Sequence, residues 1–131
     1  MNVLQPSGWP RPSGYANGIA AEGRLVFVAG QVGWDADGVF QSDDFVEQTR
    51  QTLKNIVAVL AEAGAGPQHV VRLTWYILDK REYMARAREV GAAYRQVMGK
   101  RFPAMTLVQV AALLEDGAKL EIEATAVVPN T

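Results

Sequence analysis

The amino-acid sequence predicts an α+β domain of order ββαβαββ, with two helices packed on one face of a mixed sheet. Three observations carry this prediction. Val46, Thr49, Leu53, Ile56, Val57 and Leu60 recur at three- and four-residue spacing, the stripe of a helix with one buried side. Val71, Leu73, Trp75 and Ile77 alternate with Arg72, Thr74 and Tyr76, the period-two pattern of a strand. At 131 residues, with 49% hydrophobic and 21% charged, the chain has the size and composition of one packed domain.

The elements follow in order. Residues 1–14 hold Pro6, Pro10 and Pro12 with Ser7, Gly8 and Ser13, a composition that resists regular structure and predicts an irregular arm ahead of a single domain over 15–131. Gly18–Ala21 reads as a short strand, Glu22–Gly23 as a turn and Leu25–Ala29 as a buried strand, together a hairpin. The glycine-punctuated segment from Gly30 to Gly38 reads as a loop of the kind that faces ligands. Ser42 is placed to cap the first helix, with Asp43 and Asp44 complementing the dipole of its first turn and Gly64 ending it. A second helix is expected from Lys80 to Gly99, because Tyr83, Ala87, Val90, Gly91, Tyr94 and Val97 share one face. Strands over Met105–Val110 and Lys119–Val128 complete the chain. In the last, Leu120, Ile122, Ala124, Ala126 and Val128 face one way.

Composition excludes several chemistries. The net charge of −1 supplies no positive field for nucleic acid or anionic lipid, so neither is expected as a partner. With no cysteine and His69 alone, neither a thiolate nucleophile nor a metal site is expected, and no cofactor is called for. The N-terminus lacks a basic stretch followed by an apolar one, and no apolar run approaches the roughly 20 residues that span a bilayer. The expected location is the cytoplasm. Gly30–Gly38 does not carry the spacing of a phosphate loop.

Two helices cover only one face of such a sheet. The other carries Tyr76, Leu78 and Val127, and an exposed apolar face of that kind predicts self-association.

Four segments in order, Leu25–Val32 leading to Trp34-Asp35, Gln48–Ile56, Phe102-Pro103-Ala104 and Leu120–Ala126, resemble the Rid family of reactive-intermediate deaminases over roughly residues 15–128. The resemblance implies a chorismate-mutase-like fold and a homotrimer whose sheets form an inner barrel, with small-molecule clefts between neighbouring subunits. It also implies cofactor-independent hydrolysis of a small enamine or imine. By the same resemblance Glu121 is the catalytic carboxylate that orients water or moves protons. The substrate-binding set is Tyr15, Ala29, Gly30, Gln31, Gly91, Met105 and Leu107.

The chain departs from the family pattern at three of these positions. Met105 follows Pro103-Ala104 where the family carries an arginine that grips the substrate carboxylate, Ala29 replaces a serine and Gly91 an asparagine. A charge-assisted hydrogen bond contributes roughly 1.5–3 kcal/mol, which a thioether cannot replace. The substrate is therefore expected to differ from 2-aminoacrylate, lacking the usual carboxylate or carrying it elsewhere. A homotrimer that binds a metabolite without catalysis is the alternative, and an endoribonuclease has little support from this charge and one histidine.

Structural roles compete with several of these assignments. Glu121 and Glu123 lie about 6.6 Å apart on one strand face, where Glu123 reads as structural. Met105 reads either as a specificity residue or as packing. Trp75 reads as core, His69 as surface, and the basic residues Arg86, Arg88 and Arg95 as a solvated helix face interspersed with acids.

Overall fold

The computed structural model describes residues 1–130, so Thr131, the end of the expected domain, lies outside the described residues. In chain order the elements are β1 (Asn2–Leu4), β2 (Gly18–Ala20), β3 (Arg24–Gln31), α1 (Phe45–Glu62), a 3-10 turn over Pro67–His69, β4 (Val70–Ile77), α2 (Lys80–Ala85), α3 (Ala87–Met98), β5 (Ala104–Gln109) and β6 (Leu120–Val128). The main sheet has the order β3-β6-β4-β5. β6 is antiparallel to both β3 and β4, whereas β4 and β5 are parallel. Parallel neighbours need a crossover, which α2 and α3 supply for β4 and β5.

The helices lie on one face because each stripe has a matching strand set beneath it. Leu53, Ile56 and Leu60 of α1 are fully buried with Leu73 and Ile77 of β4 and Leu120 and Ile122 of β6. Val90, Ala93 and Tyr94 of α3 join the same core. Gln48 is buried among these apolar groups and is satisfied three times over. It donates to the carbonyls of Ser42 (3.0 Å) and Gly117 (2.9 Å) and accepts from the N–H of Lys119 (2.8 Å), tying the start of α1 to the start of β6.

Several expectations are corrected. β2 does not form a hairpin with β3; it pairs antiparallel with β1, Val3 opposite Ile19. A turn signal between two apolar segments does not specify that they pair, and the arm read as irregular supplies the partner strand before its first proline. The first helix is capped by Asp44, whose carboxylate accepts from Glu47 N–H, while Ser42 accepts from Asp44 N–H one turn earlier, so Asp43 falls outside the helix. Gly64 ends that helix at φ +69°, as expected.

The second helix is two helices. Arg86 leaves the helical region at φ −111°, ψ 15°, and its guanidinium reaches Asp44 at 2.8 Å and Glu89 at 2.9 Å. A tertiary ion pair stands at this break, which leaves no mark in the apolar periodicity. The open sheet face also differs from expectation. Val127 is buried, Tyr76 is half-buried, and the prominent apolar groups are Leu25 and Phe27 of β3, 58% and 72% exposed. No helix among the described residues is long and apolar enough to cross a membrane.

Candidate functional site

The residues singled out from the sequence fall into two groups on opposite faces of the sheet. The first centres on Glu121. A register shift between Val28 and Gln31 displaces Ala29 and Gly30 from regular pairing, the kind of bulge that re-aims a strand at a site. Gly30 then comes so close to Glu121 that a Cβ built there would stand 2.0 Å from Oε2. Glycine at position 30 is what lets the carboxylate lie against the β3 backbone. Gln31 lies opposite buried Ile122 and donates its side-chain amide to the Ala29 carbonyl at 3.1 Å, which holds the bulge.

Glu121 and Glu123 do not work as a symmetric pair. Glu123 accepts the hydroxyl proton of Tyr76 at 2.7 Å. That bond, with burial and the two nearby carboxylates, holds the Tyr76 hydroxyl above its ordinary value. Glu121 has no side-chain partner among the described residues. Beside Glu123 a hollow of about 350 Å³ opens on the uncovered face, lined also by Phe27, Ala29 and Arg72.

The second group lines a cleft of about 410 Å³ at the free edge of β5 beneath α3. Met105 lies opposite fully buried Leu73, and Leu107 opposite Trp75, so both side chains face the helices rather than the open face. Both are partly buried against the core. Met105 lines the cleft with Gly91, and Trp75, Tyr83, Tyr94 and Phe102 form an aromatic wall. Tyr94 stacks on Phe102 with centroids 5.2 Å apart, and Trp75 meets Tyr83 edge-on at 6.4 Å. Burial raises the hydroxyl pKa of both tyrosines, so each stays neutral at physiological pH. Tyr15 sits half exposed where its neighbour Ala16 bridges to Ala104, on the same edge of the sheet.

Within one chain, therefore, Glu121, Gly30 and Ala29 come together, Met105 and Gly91 share the cleft while Leu107 packs against the core outside it, and the sheet separates the two sets. Trp75 is 3% exposed, in the core as expected, but it also lines the cleft. His69 stays within its own turn, its Nδ1 accepting from Gly66 N–H at 3.0 Å. Arg88 and Arg95, read from sequence as a solvated face, stand on the rim of the cleft. Their i, i+7 spacing with Gly91 between them was the available signal, but it acquires meaning only once β5 and Phe102 supply the opposite wall.

A family model described as Endoribonuclease L-PSP matches residues 10–128. A RutC family protein of Pyrococcus horikoshii is 39% identical over 126 residues, 95% of each chain. The human 2-iminobutanoate/2-iminopropanoate deaminase is 34% identical over 105 residues, covering 79% of this chain and 73% of its own. In three dimensions the chain is similar to YyfB of Yersinia pestis, a Rid family protein of unknown function, with a TM-score of 0.84 at 33% identity over 97% of this chain and 98% of that one. A match over most of the sequence, with a sheet and helices in the same arrangement, carries the conclusion that this chain belongs to the Rid family, which also goes by the names YjgF and RutC.

Proposed function

We propose that the protein is a cofactor-independent hydrolytic deaminase of a small enamine or imine, acting as a homotrimer in clefts between subunits. The observation that carries this reading is the seat of Glu121 against Gly30, where a carboxylate without a side-chain partner lies beside exposed backbone. An imine carbon is already electrophilic. The protein has only to position a water, accept one of its protons as the C–O bond forms and the π electrons move to nitrogen, and deliver that proton and then the remaining hydroxyl proton to nitrogen, so that the C–N bond breaks, ammonia leaves and the ketone remains. Glu121 serves both proton transfers, Gly30 N–H holds a substrate oxygen, and Tyr15 closes the pocket from the side.

Assembly supplies what one chain lacks. Placing the open face of one subunit beside the β5 edge of the next would bury Leu25 and Phe27 and bring Glu121 of one chain to the Met105 cleft of another. With methionine at position 105, the substrate is one other than 2-aminoacrylate. The test is ammonia release from imines generated in place by an amino-acid oxidase. The native protein is expected to outpace buffer, and Glu121→Gln to lose about a hundredfold. Release no faster than buffer across a range of amino acids would leave the non-catalytic binding trimer as the better reading.

A further inference from the structure

The cleft beside α3 has a charge pattern that the hydrolytic chemistry leaves unused. Arg88 and Arg95 stand two turns apart on one helix face with Gly91 between them, and all three line the cleft. A Cβ at position 91 would lie 3.3 Å from Arg95 Nη1, so that guanidinium folds back along the helix over the surface glycine leaves bare. Arg50, Arg86 and Lys119 are in ion pairs; among the described residues, neither Arg88 nor Arg95 is. Glu89, the nearest acid in sequence, is held by Arg86, and among the described residues no acidic one lines the cleft.

Below the two cations the wall is aromatic. It also contains Trp75, whose indole N–H is the one buried side-chain polar atom without a hydrogen-bond partner among the described residues. A buried donor left unmade is costly.

We infer that this cleft binds a small organic carboxylate with an apolar or aromatic body, Arg95 and Arg88 taking the carboxylate at the rim while the body lies on Trp75, Tyr94 and Phe102. Guanidinium forks suit carboxylates bidentately, and a ligand entering over aromatic faces replaces water that those faces hold poorly. A substrate held this way carries its carboxylate on the α3 side and must be long enough for its imine carbon to reach Glu121. The extension to an imino acid rests on the deaminase reading; the binding of the carboxylate does not.

The experiment compares 3-phenylpropanoate with 3-phenylpropanamide, which share a body and differ in charge, by calorimetry on the full chain. The native protein is expected to bind the carboxylate about tenfold or more tightly than the amide, a preference lost in Arg88→Gln/Arg95→Gln and partly kept in Arg95→Lys. Both arginines are exposed, so the variants are expected to melt with the native protein, and melting curves check this. Equal affinity for the two probes, no binding of either, or a preference that survives the double variant would overturn the inference. Ammonia release from the imine of phenylalanine separates it from the reading it builds on. Hydrolysis with KM unchanged in the double variant sinks the arginine clamp and leaves the deaminase standing. Arginine-dependent binding without hydrolysis does the reverse.

Discussion

The two faces of the sheet differ in what one chain can complete. The helix-covered face closes on itself, with Leu53, Ile56, Leu60, Leu73, Ile77, Leu120 and Ile122 fully buried and even the polar Gln48 satisfied. The other face leaves Phe27 and Leu25 in solvent beside Arg72, Tyr76, Glu121 and Glu123. Stability is concentrated on the first, and the unpartnered carboxylate on the second. A face that must stay open to a ligand or a neighbour cannot also be packed shut.

Breaking the covered face should cost the most. Leu53→Ala leaves a cavity in a site with no solvent access, and a loss of about 3–4 kcal/mol is expected in urea unfolding. A loss under about 1 kcal/mol would mean that this face is not where stability resides. On the open face the same measurement should barely respond while activity collapses. Gly30→Ala puts a methyl group where the Glu121 carboxylate lies. The flexible acid can swing away, so stability should fall by less than about 1 kcal/mol, while imine hydrolysis should fall about a hundredfold.

Phe27→Asp addresses association. Burying a phenylalanine contributes roughly 1.5–3 kcal/mol, so the variant should stay folded yet scatter light as a smaller particle than the native protein. An unchanged mass would show that Phe27 takes no part in association. The smallest effect is expected at the α2–α3 break. The hydrogen bond from Arg86, with that from Glu47 N–H, holds the Asp44 carboxyl below its ordinary value of 3.8. A depressed carboxyl adds stability that is present above its unfolded pKa and fades as pH falls through the folded one. Arg86→Gln should therefore raise the Asp44 pKa in an NMR titration and flatten the acid limb of the stability curve. A titration that does not move would show that the ion pair is not formed in solution.

Much of the covered face was legible in the residues. The 3.6-residue stripe of α1 and the alternation in β4 and β6 are local patterns, and each is read from side chains a few positions apart. β4 and β6 begin within one residue of expectation and end on it for that reason, whereas β3 runs two residues past its expected end at Ala29. The β1–β2 ribbon was not legible, because pairing between Val3 and Ile19 is a choice among distant partners that neither segment announces. Nor was the Arg86 break, which interrupts an unbroken apolar periodicity at a residue whose partner Asp44 is 42 positions away.

At the site, Glu121 and the glycine at position 30 could be named from family resemblance, but their contact depends on a bulge in β3 and its register against β6. Arg88 and Arg95 looked like ordinary solvated cations because exposure on one helix says nothing of what stands across from it.

By itself the sequence determined the stripe that α1 buries, the alternation of β4 and β6 and the absence of thiols, since these follow from composition and from spacing along the chain. Only long-range pairing decided that Glu121 meets Gly30, that Met105 turns toward the core, and that two arginines overlook an aromatic cleft. Those relations join residues far apart in the chain, and sheet register, which slips a whole face with a single residue, is settled by the packed molecule alone.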